Sequence, residues 1–262
     1  MAELEIRFED GTSYEHYMGV WSRLVGEVFL DWLKPSQNLR WIDVGCGSGA
    51  FADLVVERCA PREVQGIDPS EAQLAFARAR PSSAKAEFRV GDAMVLPFAD
   101  GSFDVAAMAL VIFFVPDPAK GVAEMARVVA PGGCVAAYAW DMYGLGFPLE
   151  PVLAELRGLG QMPPKPPSID ASRLTTMQAL WQGAGLTGIE TRQIEVQRSF
   201  ADFETFWEIS MTAPSISATL AAMPPEQAAE LKERVRAKFA PDGAGRIVTS
   251  ARANAVKGRV PA

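Results

Sequence analysis

Between residues 40 and 140, short β-rich runs alternate with helical patterns, and this alternation constrains the fold more than any other feature. The runs are Arg40–Val44, Glu63–Ile67, Glu87–Val90, Val105–Ile112 and Cys134–Trp140. Between the second and third, Ser70 with Gln73 three residues later forms a capping box and opens a helix towards Arg80. Asp117-Pro118 offers an N-cap and an N1 proline. Val122, Met125, Ala126 and Val129 then repeat at helical spacing up to a stop at Pro131-Gly132-Gly133. Strands alternating with helices predict βαβ units and a mainly parallel sheet.

The chain changes character after Trp140. Residues 142 to 172 are rich in Gly, Pro and Leu, with MPPKPP as a loop and a short amphipathic piece at Val152–Leu159. A helix is expected at Arg173–Ala184, ended by Gly183 and Gly185. Ile189 to Phe200 alternates apolar and polar positions, as a half-exposed strand does. Two or three helices are expected in 201–240, then a last strand in RIVTSARANAV. This ending suits a seven-stranded sheet whose final strand inserts antiparallel beside strand five. The expected fold is α/β: a Rossmann-like three-layer sandwich with helical lid insertions. We expect a single domain over 1–262, with a core of about 31–141 plus 173–200 and 243–262, and lid segments 1–30, 142–172 and 201–242.

Several function classes are disfavoured. A length of 262 residues is ample for a buried core. The formal net charge is -7 and Lys and Arg are scattered, so no phosphate-backbone footprint is present and nucleic-acid binding is not expected. Cys46, Cys59 and Cys134 have no CxxC spacing, which argues against disulfides and a metal site and for small buried thiols. The run Val105–Val115 is too short to span a bilayer and reads as a strand buried on both faces. MAELEIRFEDG lacks the regions of a signal peptide, so a cytoplasmic location is expected.

The chemistry centres on IDVGCGSGAF, residues 42 to 51. Gly45, Gly47 and Ala50 fit the Gly-x-Gly-x-x-Gly/Ala spacing of a dinucleotide fingerprint, and Asp68 fits its acid about 20 residues later. Three features weigh against a dinucleotide. Asp43 puts a carboxylate at the tip of strand one, where a pyrophosphate would be repelled and an ammonium or sulfonium attracted. Gly91-Asp92-Ala93 follows strand three; an acid there can accept from an adenine amine, and small neighbours leave room for the ring. The tail beyond residue 173 has no counterpart in a dinucleotide half-fold.

DVGCGSG, GIDPS, GDAMVLPF, SFDVAAMALVIFFV and ARVVAPGG, in this order and spacing, resemble the motifs of class I S-adenosylmethionine-dependent methyltransferases. They are most similar to the group that includes the quinone-biosynthesis methyltransferases. The resemblance covers residues 40 to 140 closely and ARANAVKGRVP more loosely. It implies S-adenosyl-L-methionine as cofactor, S-adenosyl-L-homocysteine as product and a small-molecule acceptor. It also implies roles for residues. Gly45 and Gly47, with Cys46 between them, would let backbone pass under the methionine part and ribose. Asp43 would balance the amino-acid end, and Asp68 would take both ribose hydroxyls. Pro69 and Gln73 would border the adenine, and Asp92 would accept from its amine beside Gly91 and a backbone donor at Ala93. Leu110 would offer its carbonyl to the ammonium. An N-terminal helix would cover the cofactor, with Tyr17 and Arg23 as contacts for its carboxylate.

The sequence departs from many relatives in having Phe113-Phe114 where they carry a His pair, and packing is the expected role of both rings. Methyl transfer needs alignment and exclusion of water, and a base only if the acceptor must lose a proton. The candidates for such a group are His16, Asp141 and Tyr143. Met142, Phe147, Met162, Phe203, Phe206, Trp207, Met211 and Met223, all in the lid segments, would suit an apolar or aromatic acceptor. Two alternatives remain: an NAD(P)-dependent oxidoreductase, and a non-catalytic module that binds the cofactor without turnover.

Overall fold

The structure is a computed structural model that describes residues 18–80, 84–162 and 164–262. Seven strands form one sheet: β1 (Arg40–Val44), β2 (Glu63–Asp68), β3 (Ala86–Val90), β4 (Phe103–Ala109), β5 (Val129–Trp140), β6 (Thr187–Phe200) and β7 (Ile247–Arg259). Their order is β3-β2-β1-β4-β5-β7-β6. The first five pair in parallel, and β7 runs antiparallel between β5 and β6. The expected insertion of the last strand beside strand five is therefore observed. The central strands β1 and β4 are buried along nearly their whole length, which explains why they read as continuous apolar runs rather than alternating ones.

Helices α1 (Val20–Leu33), α2 (Ala50–Cys59), α3 (Glu71–Ala79), α4 (Pro118–Val128), α5 (Glu150–Gly158) and α6 (Leu174–Gly183) are joined by α7 (Phe203–Met211), α8 (Pro214–Ala221) and α9 (Pro225–Arg236). Their starts follow local chemistry. Ser70 Oγ accepts from the Gln73 amide at 3.3 Å, Asp117 Oδ1 from the Lys120 amide at 3.1 Å and Asp202 Oδ1 from the Thr205 amide at 2.7 Å. The α6 helix is tied to the sheet by its buried Trp181, whose indole N–H donates to the Val135 carbonyl of β5 at 2.9 Å.

Two expectations are corrected. Pro131-Gly132-Gly133 does not stop α4, which ends at Val128; the tripeptide lies within β5. It is held there because the Gly132 amide donates to Val260 and the Val260 amide to Gly133, at 2.9 and 3.0 Å. Strand β4 ends at Ala109, and Ile112–Phe114 forms a 3-10 turn, because Leu110 takes a left-handed conformation with φ 64°. Helix α1 is packed into the core. Trp21, Val25, Phe29 and Leu30 of α1 are buried, and Phe29 stacks on Tyr138 with ring centres 4.7 Å apart. Helices α7 to α9 pack on one another and on α5. Phe206 packs on Phe200 and Phe239, and Arg234 and Lys238 pair with Glu155 of α5 at 2.7 and 2.9 Å.

No helix among the described residues is long and apolar enough to cross a membrane. The packing of β2 on β3 leaves no space for a side chain at Gly66. A Cβ there would lie 2.4 Å from Phe88 Cδ1 and 2.9 Å from Cys46 Sγ. Gly66→Ala should therefore cost about 1–3 kcal/mol of stability, read as a lowered urea midpoint with an unchanged slope.

Candidate cofactor cleft

The sheet order reverses at β1, whose neighbours are β2 on one side and β4 on the other. Open α/β sheets bind ligands at the carboxyl ends of strands beside such a reversal. A cleft of ≈1680 Å³ lies there. That exceeds the roughly 300–1,000 Å³ of an ordinary small-molecule site and leaves room for a cofactor with a second molecule.

The glycine loop is fixed by its backbone. The amides of Gly45 and Cys46 both donate to the Ile67 carbonyl, at 2.7 and 3.0 Å. Asp68 ties this loop to the start of α3: Oδ2 accepts from the Gly47 amide at 2.8 Å and Oδ1 from the Ser70 amide at 2.9 Å. Each oxygen keeps a further lone pair for a ligand hydroxyl. Burial raises the Asp68 carboxyl above the usual range, and the Ser70 and Gly47 amides oppose that rise. Arg80 closes the far side, donating from Nε to the Ser48 carbonyl at 2.6 Å and from Nη1 to Asp53 at 2.7 Å.

The two leading glycines are present for different reasons. Gly45 has φ 76°, and a Cβ on it would lie 2.4 Å from Val111 Cγ1, so protein packing excludes a side chain there. Gly47 has φ 50°, but the nearest protein atom to its Cβ position, Gln73 Oε1, is 3.9 Å away. Its open side belongs to the cleft.

Asp43 sits beneath this loop and is 2% exposed. Neither carboxylate oxygen has a hydrogen-bond partner; the Ala52 amide approaches without meeting hydrogen-bond geometry. Burial, then the charge of Asp68, push its pKa up to about 7. A buried carboxylate in this state is costly unless a cation or donor reaches it. The Cys46 thiol is also pushed up, first by burial and then by Asp43 and Asp68, so it is an inert lining group rather than a nucleophile.

Pro69, Gln73, Gly91, Asp92, Ala93 and Leu110 also line the cleft. Asp92 is exposed to it and accepts from the Met94 amide at 2.8 Å, which fixes the turn after β3. Gly91 is required by packing, because a Cβ would lie 2.8 Å from Ile67 Cγ2. Leu110 lies at the cleft in its left-handed conformation, which costs a non-glycine residue about 1–2 kcal/mol and is held by its amide bonding to the Tyr138 carbonyl at 2.8 Å.

Other candidates are placed differently. Arg23 reaches the cleft margin, but its guanidinium pairs with Glu57 at 2.7 Å and Glu27 at 3.1 Å rather than standing free for a carboxylate. Tyr17 and His16 lie outside the described residues. Asp141 and Tyr143 do not line the cleft. Asp141 is locked by Arg252 Nε at 2.9 Å and by the Gly144 amide at 2.9 Å, and the Tyr143 ring lies under the Arg173 guanidinium. Of the lid side chains expected around an acceptor, Met162 alone lines the cleft. Phe114, expected only to pack, lines it as well, and so does Lys165 within MPPKPP, which the sequence marks only as a loop.

Two predictions follow from this geometry. Gly45→Ala should destabilise the fold more than Gly47→Ala, since both strain a left-handed residue but Gly45→Ala alone also drives into Val111; thermal denaturation of the pair separates them. Asp43 holds its proton more tightly folded than unfolded, where its pKa is about 4. That contribution to stability is complete below the unfolded value and is lost as pH rises through about 7. Ligand-free protein should lose about 2–3 kcal/mol through Asp43 between about pH 5 and pH 8, and Asp43→Asn should flatten the loss in urea titrations at the two pH values.

Residues 42–137 match the family model described as a methyltransferase domain. A ubiquinone/menaquinone biosynthesis C-methyltransferase, UbiE, of Dinoroseobacter shibae is 36% identical over 115 residues, which cover 42% of this chain and 46% of that protein. The match thus spans less than half of that relative's length. Among solved structures, Haemonchus contortus phosphoethanolamine N-methyltransferase 2 in complex with S-adenosyl-L-methionine aligns with a TM-score of 0.58 at 20% identity, over 96% of this chain and 56% of that one. The [4+2]-cyclase SpnF aligns with a TM-score of 0.52 at 20% identity, over 91% and 81%. Residues 42–137 thus resemble a methyltransferase domain, and the chain shares the fold of these solved structures.

Proposed function

We propose that the protein transfers the methyl group of S-adenosyl-L-methionine to a small, apolar or aromatic acceptor by in-line displacement. The observation that carries this reading is Asp43. It is a buried carboxylate with no partner, at the bottom of a glycine loop whose Gly47 is open to the cleft. These residues fit the cofactor: its amino-acid end brings the cation that Asp43 lacks, and a pyrophosphate would bring more negative charge.

In this reading Asp68 accepts the two ribose hydroxyls while its amide contacts hold the loop in register. Asp92 and Ala93 meet the adenine edge, Pro69 and Gln73 border the ring, and Gly45, Cys46 and Gly91 shape the floor. The Leu110 carbonyl serves the ammonium group; Arg23 and Tyr17 remain assigned to the cofactor's carboxylate side, Arg23 through exchange with its Glu57 pairing. When bound, the cofactor supplies a methyl group already activated by a positive sulfur. The chain's own work is to orient the acceptor, exclude water and place charge. The acceptor side is made by Phe114, Val115, Pro116, Met162 and Ile169, an apolar wall with no side chain that takes a proton at neutral pH.

We read the chain as one domain acting in the cytoplasm on a small molecule. The net charge of -7, without a basic cluster, suits that better than a nucleic-acid partner. Because SpnF has this fold and is a cyclase, the fold by itself does not decide the reaction.

Calorimetric titration with S-adenosylhomocysteine and, separately, NADH tests the reading. S-adenosylhomocysteine should bind in the micromolar range, and Asp68→Ala should weaken it by about tenfold or more, since hydrogen bonds to a charged group are lost. Binding of NADH alone would return Gly45, Gly47, Ala50 and Asp68 to a dinucleotide fingerprint.

A further inference from the structure

Residues 164–168 form a strap rather than a free loop. Pro164, Pro166 and Pro167 stiffen it. Its end is fastened to the turn after β4, where the Ser168 amide donates to the Phe113 carbonyl at 3.0 Å and Ser168 Oγ to the Pro116 carbonyl at 3.4 Å. The strap carries Lys165 at the cleft. Among the described residues lining the cleft, Lys165 is the cation with no ion pair; Arg23, the other, is engaged by Glu57 and Glu27.

Sheet order separates the charges. Asp92, Asp68 and Asp43 lie at the ends of β3, β2 and β1, whereas the strap and Phe114 stand on the β4 side. The cleft is thus acidic where the cofactor would lie. On its other side the described lining is apolar apart from one ammonium and the buried phenol of Tyr138, and it holds no carboxylate or imidazole. Resting on the methyltransferase reading, we infer that the acceptor is an amphipathic anion, a carboxylate or phenolate on an apolar body, recognised by Lys165 and by the wall of Phe114, Met162 and Ile169.

The lack of a carboxylate or imidazole among the described residues of this wall and the presence of the lysine have a common explanation. An acceptor that arrives ionised needs no proton removed. Its oxygen lone pair forms the new bond to the methyl carbon, the carbon–sulfur bond breaks with its electron pair going to sulfur, and the acceptor's negative charge cancels the sulfonium's positive one. No proton remains to be placed. The methylated oxygen is neutral and loses its attraction to Lys165, which favours release.

The test uses the full chain saturated with S-adenosylhomocysteine, whose own binding is measured first by calorimetry. Equilibrium dialysis then compares 4-nitrophenolate, at a pH where it is ionised, with 4-nitrotoluene, a neutral probe of similar size, both followed by absorbance. We expect the phenolate to bind about fivefold more tightly, the upper range for a partly exposed charge pair, and the preference to shrink with added salt. Lys165→Gln should abolish the preference while leaving S-adenosylhomocysteine affinity unchanged, and Lys165→Arg should retain it. Equal binding of the two probes, no binding of either, or a preference that survives Lys165→Gln would overturn the inference while the cofactor reading stands. Failure of S-adenosylhomocysteine itself to bind would remove the cofactor reading beneath both.

Discussion

The feature on which the rest depends is a carboxylate buried without a partner at the end of the central strand. Asp43 is buried at the end of β1, and among the described residues neither of its oxygens has a hydrogen-bond partner or an ion pair. Even partly buried acids of this protein are neutralised by an Arg, Asp53 by Arg80 and Asp104 by Arg40. Leaving Asp43 alone sacrifices stability in the empty protein, and that sacrifice has a physical use if a cationic group completes the site. A stability deficit of this kind is common where structure is arranged for binding rather than for folding.

The surroundings of Asp43 are correspondingly rigid. Asp68 joins the loop to α3, Arg80 holds the other side of the loop, and Val111 packs so closely that Gly45 admits no side chain. Leu110 turns the chain out of β4 at a backbone angle that only firm neighbours sustain. The other side is closed by the strap of residues 164–168, fastened at Ser168 and stiffened by its prolines.

The legible part of the sequence was the part encoded locally. The strands and helices of residues 40–140 follow from periodicity and caps, as at Ser70 and Asp117, and the spacing of Gly45, Gly47 and Asp68 brings these residues to one cleft. What was not legible depends on partners far along the chain. Asp141 is taken out of the site by Arg252, 111 residues away. The aromatic residues of 201–240 turn to one another and to Phe200 instead of to the cleft. Pro131-Gly132-Gly133 reads as a helix stop because its hydrogen bonds to Val260 have no local signature. Lys165 is hidden for a related reason: a lysine among prolines gives no pattern until the sheet order places its loop over β4.

The central claim is that the cleft is completed by a cation at Asp43. It is tested most directly by titrating the protein with S-adenosylhomocysteine at about pH 6.5, in two buffers of different ionisation enthalpy. Asp43, with its pKa near 7, is then mostly protonated in the empty protein, and an arriving ammonium should expel that proton. The account predicts release of roughly half a proton or more per ligand bound, lost in Asp43→Asn. Equal heats in the two buffers, with binding intact, would contradict it.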